Sequence, residues 1–192
     1  MKKSVAIQGI EGSFHHIVSQ IYFEDSIEVQ PYLSFNEVVE SLTSKTTDVA
    51  VMALENSIAG SIIPNYALID KYGLHIVGEH YLDIQHNLMA LPNQSIADIK
   101  EVYSHPMALL QCKEFFKSHS HIKLVEDKDT AEVAKRIQEK KLTGVGAIAS
   151  VAAAEIFELD VLAHSIQTIR HNQTRFVIVK RTNSEVPENE IN

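Results

Sequence analysis

Tryptophan is missing from this chain of 192 residues, and cysteine occurs once, at Cys112. A single thiol excludes an internal disulfide and fits a reducing compartment. Seven glycines and five prolines exclude collagen-like and proline-rich low-complexity character. No apolar run approaches the ~18 residues of a membrane span. The opening Met1-Lys2-Lys3-Ser4-Val5-Ala6-Ile7-Gln8-Gly9 is too short in apolar character for a signal peptide. A soluble, cytoplasmic protein is the expectation, with no membrane partner.

Positive charge is also in short supply. Lys and Arg number 17 against 25 Asp and Glu, a net charge of −8 with histidines neutral. Nucleic-acid binding would need a basic face, because phosphate neutralisation supplies most of the affinity. The basic residues are instead scattered, apart from Lys135-Arg136 and Lys140-Lys141 on a polar helix. No nucleic-acid partner is expected. Any small anionic ligand would have to be held by a few local donors against the general negative field.

Hydrophobic residues make up 45% of the chain, enough for an ordinary globular core. Val5-Ala6-Ile7 reads as a short buried strand ending at Gly9-Ile10-Glu11-Gly12, and Ser13 can cap a helix from Phe14 to about Tyr22. Ser34-Phe35-Asn36-Glu37 is a capping box opening a helix from Phe35 to Leu42. Asp48 to Leu54 is nearly all apolar, as in a sheet covered on both faces. A polar loop, Glu55 to Gly60, precedes a helix from about Asn65 to Lys71. The segment Leu74 to Ala90 is β-like but too long for one strand, so it is expected to cross between two lobes.

A second series follows: a strand near Val102, a helix from Pro106 to Lys117, a strand from Ile122 to Val125, and a capping box at Asp129-Thr130-Ala131-Glu132. That box opens a helix to about Lys140. Val145 to Ala149 and Thr174 to Lys180 read as strands, with a short Ala-rich helix at Val151 to Phe157. The alternation argues α/β with a largely parallel sheet in each half.

Four segments carry polar groups where ligands of such sheets lie. Gly9-Ile10-Glu11-Gly12-Ser13 is either a tight βα turn or an anion-binding helix start; it fails the GxGxxG dinucleotide pattern. Asn56 and Ser57, after a buried strand, are helix caps or ligand donors. Ser104-His105-Pro106 opens a helix that carries Gln111 and Cys112, with Cys112 read as packing rather than nucleophile. Asn172-Gln173-Thr174-Arg175-Phe176 starts the last strand, where alternation puts Thr174 and Phe176 on one face and Arg175 on the other. For Arg175 to bind a carboxylate beside Thr174, a local twist must bring both to one cleft. The ten histidines form neither HExxH nor a His/Cys cluster, so no metal site is expected.

Taken together and in this order, the segments resemble the catalytic domain of prephenate dehydratases, from about Val5 to Arg181. The family's GPEGTF-like opening stands here as Gly9 to Phe14, and its ENSxxG element is intact from Glu55 to Gly60. Its SHPQAL-type segment ending in Gln-Cys spans Ser104 to Cys112, and its NxTRF element is intact from Asn172 to Phe176. Ile10, Ser13 and Met107 depart from the family's Pro, Thr and Gln.

The resemblance implies two lobes similar to type II periplasmic binding proteins, with the active site in the cleft between them. Lobe 1 would hold about 1–80 with 165–183, lobe 2 about 81–164, and 184–192 a disordered tail resembling the start of a linker. It implies conversion of prephenate to phenylpyruvate with loss of carbon dioxide and water, without a cofactor because aromatisation drives the reaction. Family members are commonly dimers or tetramers, and many carry a C-terminal ACT domain that binds phenylalanine. The chain stops before one, as an unregulated enzyme or a shortened chain would.

The family's catalytic threonine corresponds to Thr174, the donor to the leaving hydroxyl. Arg175, with helix starts near Ser13 and Ser104, would anchor the pyruvyl carboxylate. Asn56, Ser57 and Gln111 would orient the ring, Asn172 would join them at the substrate, and Phe176 would form an apolar wall. Glu11 would be an acid partner or a structural carboxylate. Arogenate dehydratase, the same chemistry on the amine-bearing analogue, is an alternative. So is a non-catalytic small-anion binder or a regulatory sensor on the same scaffold.

Overall fold

The computed structural model describes residues 2–24 and 27–182; the expected tail at 184–192 lies outside the described residues. The first stretch runs β1 (Lys3–Gln8), α1 (Phe14–Phe23), β2 (Ile27–Tyr32), α2 (Phe35–Thr43), β3 (Val49–Asn56) and β4 (Gly60–Ser61). Next come α3 (Ile63–Lys71), β5 (Leu74–Asp83), β6 (Asn87–Ala90), β7 (Glu101–Ser104), α4 (Pro106–Gln111) and α5 (Lys113–Lys117). The chain continues through β8 (Lys123–Glu126), α6 (Ala131–Lys140), β9 (Val145–Ala149), α7 (Val151–Ile156), β10 (Asp160–Ala163) and β11 (Gln173–Arg181).

Two sheets result. The first has the order β2-β1-β3-β11-β5, with β4 as a hairpin on β3, and the second has the order β10-β6-β9-β7-β8. Residues 84–86 lead from the first to the second, and residues 164–172 lead back. Neither sheet is largely parallel. β1 pairs in parallel with β2 and β3, but β11 runs antiparallel to both β3 and β5. β6 is likewise antiparallel to β9 and β10. β6 and β11 enter their sheets by the two crossings rather than through a βα unit, so nothing forces them to follow their neighbours' direction.

The continuous apolar runs are explained by helices on both faces of each sheet. In the first, Val5, Ile7, Val49, Val51, Phe176 and Ile178 pack with Val18 of α1. The alternate residues Ala6, Ala50, Met52, Val177 and Val179 pack with α2 and α3 on the other face. In the second, Leu88, Val102 and Ile148 meet α4 and α5, while Met89, Ala147 and Ala149 meet α6 and α7. Pro31 is tolerated in β2 because that strand is an edge.

The halves meet tightly at the start of α7. Ser150 Oγ, which caps α7, donates to the Gly12 carbonyl at 2.6 Å. Gly12 has φ +83°, and a Cβ there would lie 2.8 Å from Ala153 Cα, so only glycine fits.

Candidate active site

A cavity of about 560 Å³ opens between the sheets. Its walls include the caps or first turns of five helices: Ser13 and Phe14 (α1), Ser34 and Phe35 (α2), Ile62 (α3), His105 and Met107 (α4), and Thr130 (α6). Helix starts carry unpaired N–H groups and the positive end of the backbone dipole. A chain of net charge −8 thereby presents positive potential where an anion would sit. Lys128 is the one Lys or Arg among the described residues lining the cavity.

The strand ends supply the polar floor. β3 carries an extra residue: Ala53 pairs with Phe176 and Glu55 with Arg175, leaving Leu54 without a partner of its own on β11. This bulge resets the alternation, so Ala53 and Asn56, three apart, both line the cavity. Glu55, with Arg175, goes to the opposite face. The polar segment expected to be loop therefore begins as strand.

Asn56 is the hub. Its Oδ1 accepts from the backbone N–H of Ile58 (3.0 Å) and of Ala59 (2.8 Å). Its Nδ2 donates to Asn172 Oδ1 at 2.7 Å and to Thr174 Oγ1 at 2.9 Å. Asn172 Nδ2 in turn donates to Gln111 Oε1 at 2.8 Å. Asn172 is fully buried and Thr174 is 7% exposed. The Thr174 oxygen accepts from Asn56, so its own proton is free to be donated into the cavity. Phe176, two residues on, forms the apolar wall beside it.

Of the ten residues proposed from sequence, Ser13, Asn56, Gln111, Thr174 and Phe176 line the cavity, and Asn172 stands behind them as a link. Four do not reach it. Arg175 follows strict alternation and faces away: its Nε donates to Glu79 at 2.8 Å and its Nη1 lies 3.3 Å from Glu55 Oε1. No twist brings it to Thr174, which corrects its assignment as carboxylate anchor; chiefly the Glu79 hydrogen bond raises its pKa further. Glu55 also accepts from the Tyr66 hydroxyl. Ser104 is buried and spends its hydroxyl on the Ile148 carbonyl at 2.7 Å, while His105 Nδ1 caps α4 instead. Ser57 is a tie, accepting from Gln173 N at 2.9 Å and donating to the His171 carbonyl at 3.3 Å. Glu11 is exposed and outside the cavity wall.

Several wall residues escaped the sequence reading. His15 stands edge-on to Phe176 and Phe35, with ring centroids 5.0 and 5.4 Å away, and its Nε2 accepts from the Ala53 N–H at 3.3 Å. Burial pushes its pKa down to about 4, so the ring is neutral at pH 7. His86 lies 2.8 Å from Gln111 Oε1 and is also held below the usual histidine range, by burial first, against the Gln111 hydrogen bond. Lys128 and Asp129 sit at the foot of α6, where only the capping box was legible. The Asp129 carboxylate does cap that helix, accepting from Glu132 N at 2.9 Å. Cys112 packs in the core, and burial pushes its thiol up to about 12, excluding a thiolate at neutral pH.

The arrangement is a hydroxyl donor held by amides, apolar walls, the neutral His15 and one lysine beside a carboxylate. A family model described as prephenate dehydratase matches residues 5–184. The chain belongs to the prephenate dehydratase family.

An arogenate dehydratase of Petunia hybrida is 40% identical over 177 residues, covering 92% of the chain and 44% of the relative. A bifunctional chorismate mutase/prephenate dehydratase of Buchnera aphidicola is 34% identical, covering 93% and 47% respectively. The chain thus spans somewhat under half the length of these curated relatives of the prephenate dehydratase family. The crystal structure of the Arthrobacter aurescens prephenate dehydratase, a complex with L-Phe, superposes with TM-score 0.85 at 25% identity, over 94% of the chain and 61% of that protein. A Bacillus subtilis lipoprotein named for methionine binding, at 11% identity and TM-score 0.50, shares the fold, which is of the type II periplasmic-binding class. No helix among the described residues is long and apolar enough to cross a membrane.

Proposed function

We propose that the cleft converts prephenate to phenylpyruvate, a step in phenylalanine biosynthesis. The observation that carries this reading is the donor count at Thr174: its oxygen is occupied by Asn56, and its proton is not. In prephenate, the C1 carboxylate leaves as carbon dioxide and its bonding electrons enter the ring. The ring π-electrons shift, and the C4–O bond breaks. The departing hydroxide takes a proton and leaves as water, so the dianion plus one proton gives the phenylpyruvate monoanion, carbon dioxide and water. Thr174 supplies the hydrogen bond or proton at that oxygen, and solvent restores it.

Neutrality on the other side serves the same end. A cation against the C1 carboxylate would stabilise the ground state more than the transition state. Phe176, Phe35 and neutral His15 offer no such charge. Lys128 and the helix starts take the pyruvyl carboxylate, the role that Arg175 does not fill.

Mixing the protein with prephenate and following phenylpyruvate absorbance tests the reading; no product at any pH from 5 to 9 would refute it. A second reading rests on Asp129, a carboxylate beside Lys128 in the same wall. It suits the ammonium of arogenate, and turnover of the two substrates measured in parallel decides between them. A protein that binds either anion without consuming it would be the non-catalytic scaffold.

The remaining expectations belong to the same proposal. Each sheet with its helices is one lobe, the two closing on substrate. The chain works as a homodimer or homotetramer, supported by Ile76, Val77 and Tyr81 standing exposed on the edge strand β5; light scattering tests this. The lone buried thiol supports a reducing, cytoplasmic setting.

A further inference from the structure

His86 sits where the chain first crosses between the sheets, and the reaction just described gives it no task. It is 4% exposed, and its ring stands edge-on to Phe14 with centroids 5.9 Å apart. Its backbone is held from both sides by the returning segment, His86 N donating to Gln167 Oε1 at 3.0 Å and Ile166 N donating to the His86 carbonyl at 2.8 Å. Among the described residues, His86 Nδ1 is the one buried side-chain nitrogen or oxygen with no hydrogen-bond partner. Folded proteins rarely leave such an atom bare.

Donor counting explains it. Backbone N–H groups can only donate, and those of Ile58 and Ala59 both reach one atom of the Asn56 amide, which must be its oxygen. Asn56 Nδ2 therefore faces Asn172 and Thr174. Asn172 must meet it with Oδ1, and so presents Nδ2 to Gln111. Gln111 must answer with Oε1, and an amide oxygen cannot donate. The 2.8 Å contact between that oxygen and His86 Nε2 then requires the proton to be on Nε2. A neutral imidazole has only one N–H, so Nδ1 is left empty.

We infer that His86 is a positioning residue for Thr174: its Nε2–H closes the far end of a one-way chain of amide hydrogen bonds. The Gln111 carbonyl stays turned toward Asn172, Asn172 turns its own oxygen to Asn56, and Asn56 donates to the Thr174 oxygen. The Thr174 O–H is thereby left for the substrate. The catalytic part of this inference rests on the dehydratase reading; the direction of the chain does not.

The test begins with the ring itself. Long-range proton–nitrogen NMR of protein carrying ¹⁵N-histidine, at pH 7 and without substrate, is expected to show His86 with Nε2 protonated and Nδ1 bare. In Asn172→Asp the new group only accepts, so Gln111 turns its nitrogen inward and the His86 ring must switch to the Nδ1–H form. In kinetics, His86→Leu is expected to lower kcat roughly tenfold to a hundredfold, with KM within about threefold. His86→Gln, whose amide nitrogen lies as many bonds from the backbone as Nε2, should recover most of that loss.

An Nδ1–H or charged ring in the parent, an unchanged tautomer in Asn172→Asp, or a His86→Gln no faster than a folded His86→Leu would each overturn the inference. If His86→Leu does not fold, the tautomers and the His86→Gln rate decide. A parent protein with no turnover of prephenate or arogenate refutes the dehydratase reading, and the tautomer pair then judges the chain alone.

Discussion

Replacing Asn56 by aspartate changes one NH₂ into an oxygen and almost nothing in shape, which makes it the sharpest probe of the site. The oxygen that accepts from Ile58 and Ala59 is retained, so the turn after β3 keeps its hydrogen bonds. The donations from Nδ2, at 2.7 Å to Asn172 and 2.9 Å to Thr174, are lost together with a longer one of 3.4 Å to the Gln173 carbonyl. In their place a carboxylate oxygen faces the Thr174 hydroxyl and takes its proton as a hydrogen bond. The threonine is then turned from the substrate to the wall. Losing a positioned donor of this kind costs about 10²–10⁴ in rate. At 1.36 kcal/mol per decade that is about 3–5 kcal/mol of transition-state stabilisation.

The expected result is a kcat lowered by that factor at pH 8, KM for prephenate within a few-fold, and an unchanged melting temperature. Acid should partly rescue the variant, because protonating the new carboxyl restores one O–H donor, so kcat rises as pH falls where the parent's does not. Initial rates of phenylpyruvate formation across pH 5–8, with a thermal melt at each pH, measure all of this. A kcat within threefold of the parent at pH 8 would refute the argument that Thr174 is freed to donate by Asn56.

Other outcomes follow from the same geometry. Thr174→Val should abolish most turnover without loss of fold, while Thr174→Ser retains measurable activity; equal rates for the two would remove the hydroxyl from the reaction. Lys128→Met should raise KM for prephenate about tenfold or more with a smaller effect on kcat, whereas Arg175→Lys, outside the cavity, should leave KM within about twofold. Gly12→Ala, forced against Ala153 in a left-handed backbone conformation, should destabilise the fold by about 2–4 kcal/mol in chemical denaturation. For His15, the folded pKa of about 4 lies below the ordinary value of 6.5. Between these values the unfolded chain binds a proton that the folded one does not, so the stability present above pH 6.5 falls as pH drops toward 4. The loss is at most about 3 kcal/mol, and denaturation curves for His15→Gln should show a shallower decline.

Legibility divided along physical lines. Elements whose information is local were readable: Ser13 caps α1 and the Ser34–Glu37 box opens α2 as expected. The apolar run of β3 announced a strand covered on both faces, and β9 and β11 were legible as strands. Strand direction was not readable, because β6 and β11 owe theirs to the crossings between sheets. The helix expected from Pro106 to Lys117 is broken at Cys112, which caps both of its parts. At the site, Thr174, Asn56 and Gln111 were found because they sit in recognisable segments. His15 and His86 were missed because a histidine in an apolar stretch carries no signal of what it will face; only the meeting of two sheets supplies that. Arg175 obeys the period-2 alternation and faces away from the cleft, because the strand makes no twist that would turn it beside Thr174.

The unmatched residue at Leu54 has a genetic corollary. Below it, odd and even positions of β3 serve one assignment of faces; beyond it, they serve the opposite one. An in-frame deletion of the Leu54 codon would remove the extra residue itself, leaving Glu55 opposite Arg175 and Asn56 opposite Thr174, so one genetic event would erase the bulge with the faces of the site unchanged. What such a deletion would take away is the buried Leu54 side chain, packed among the apolar residues of α2 and α3 on the far face.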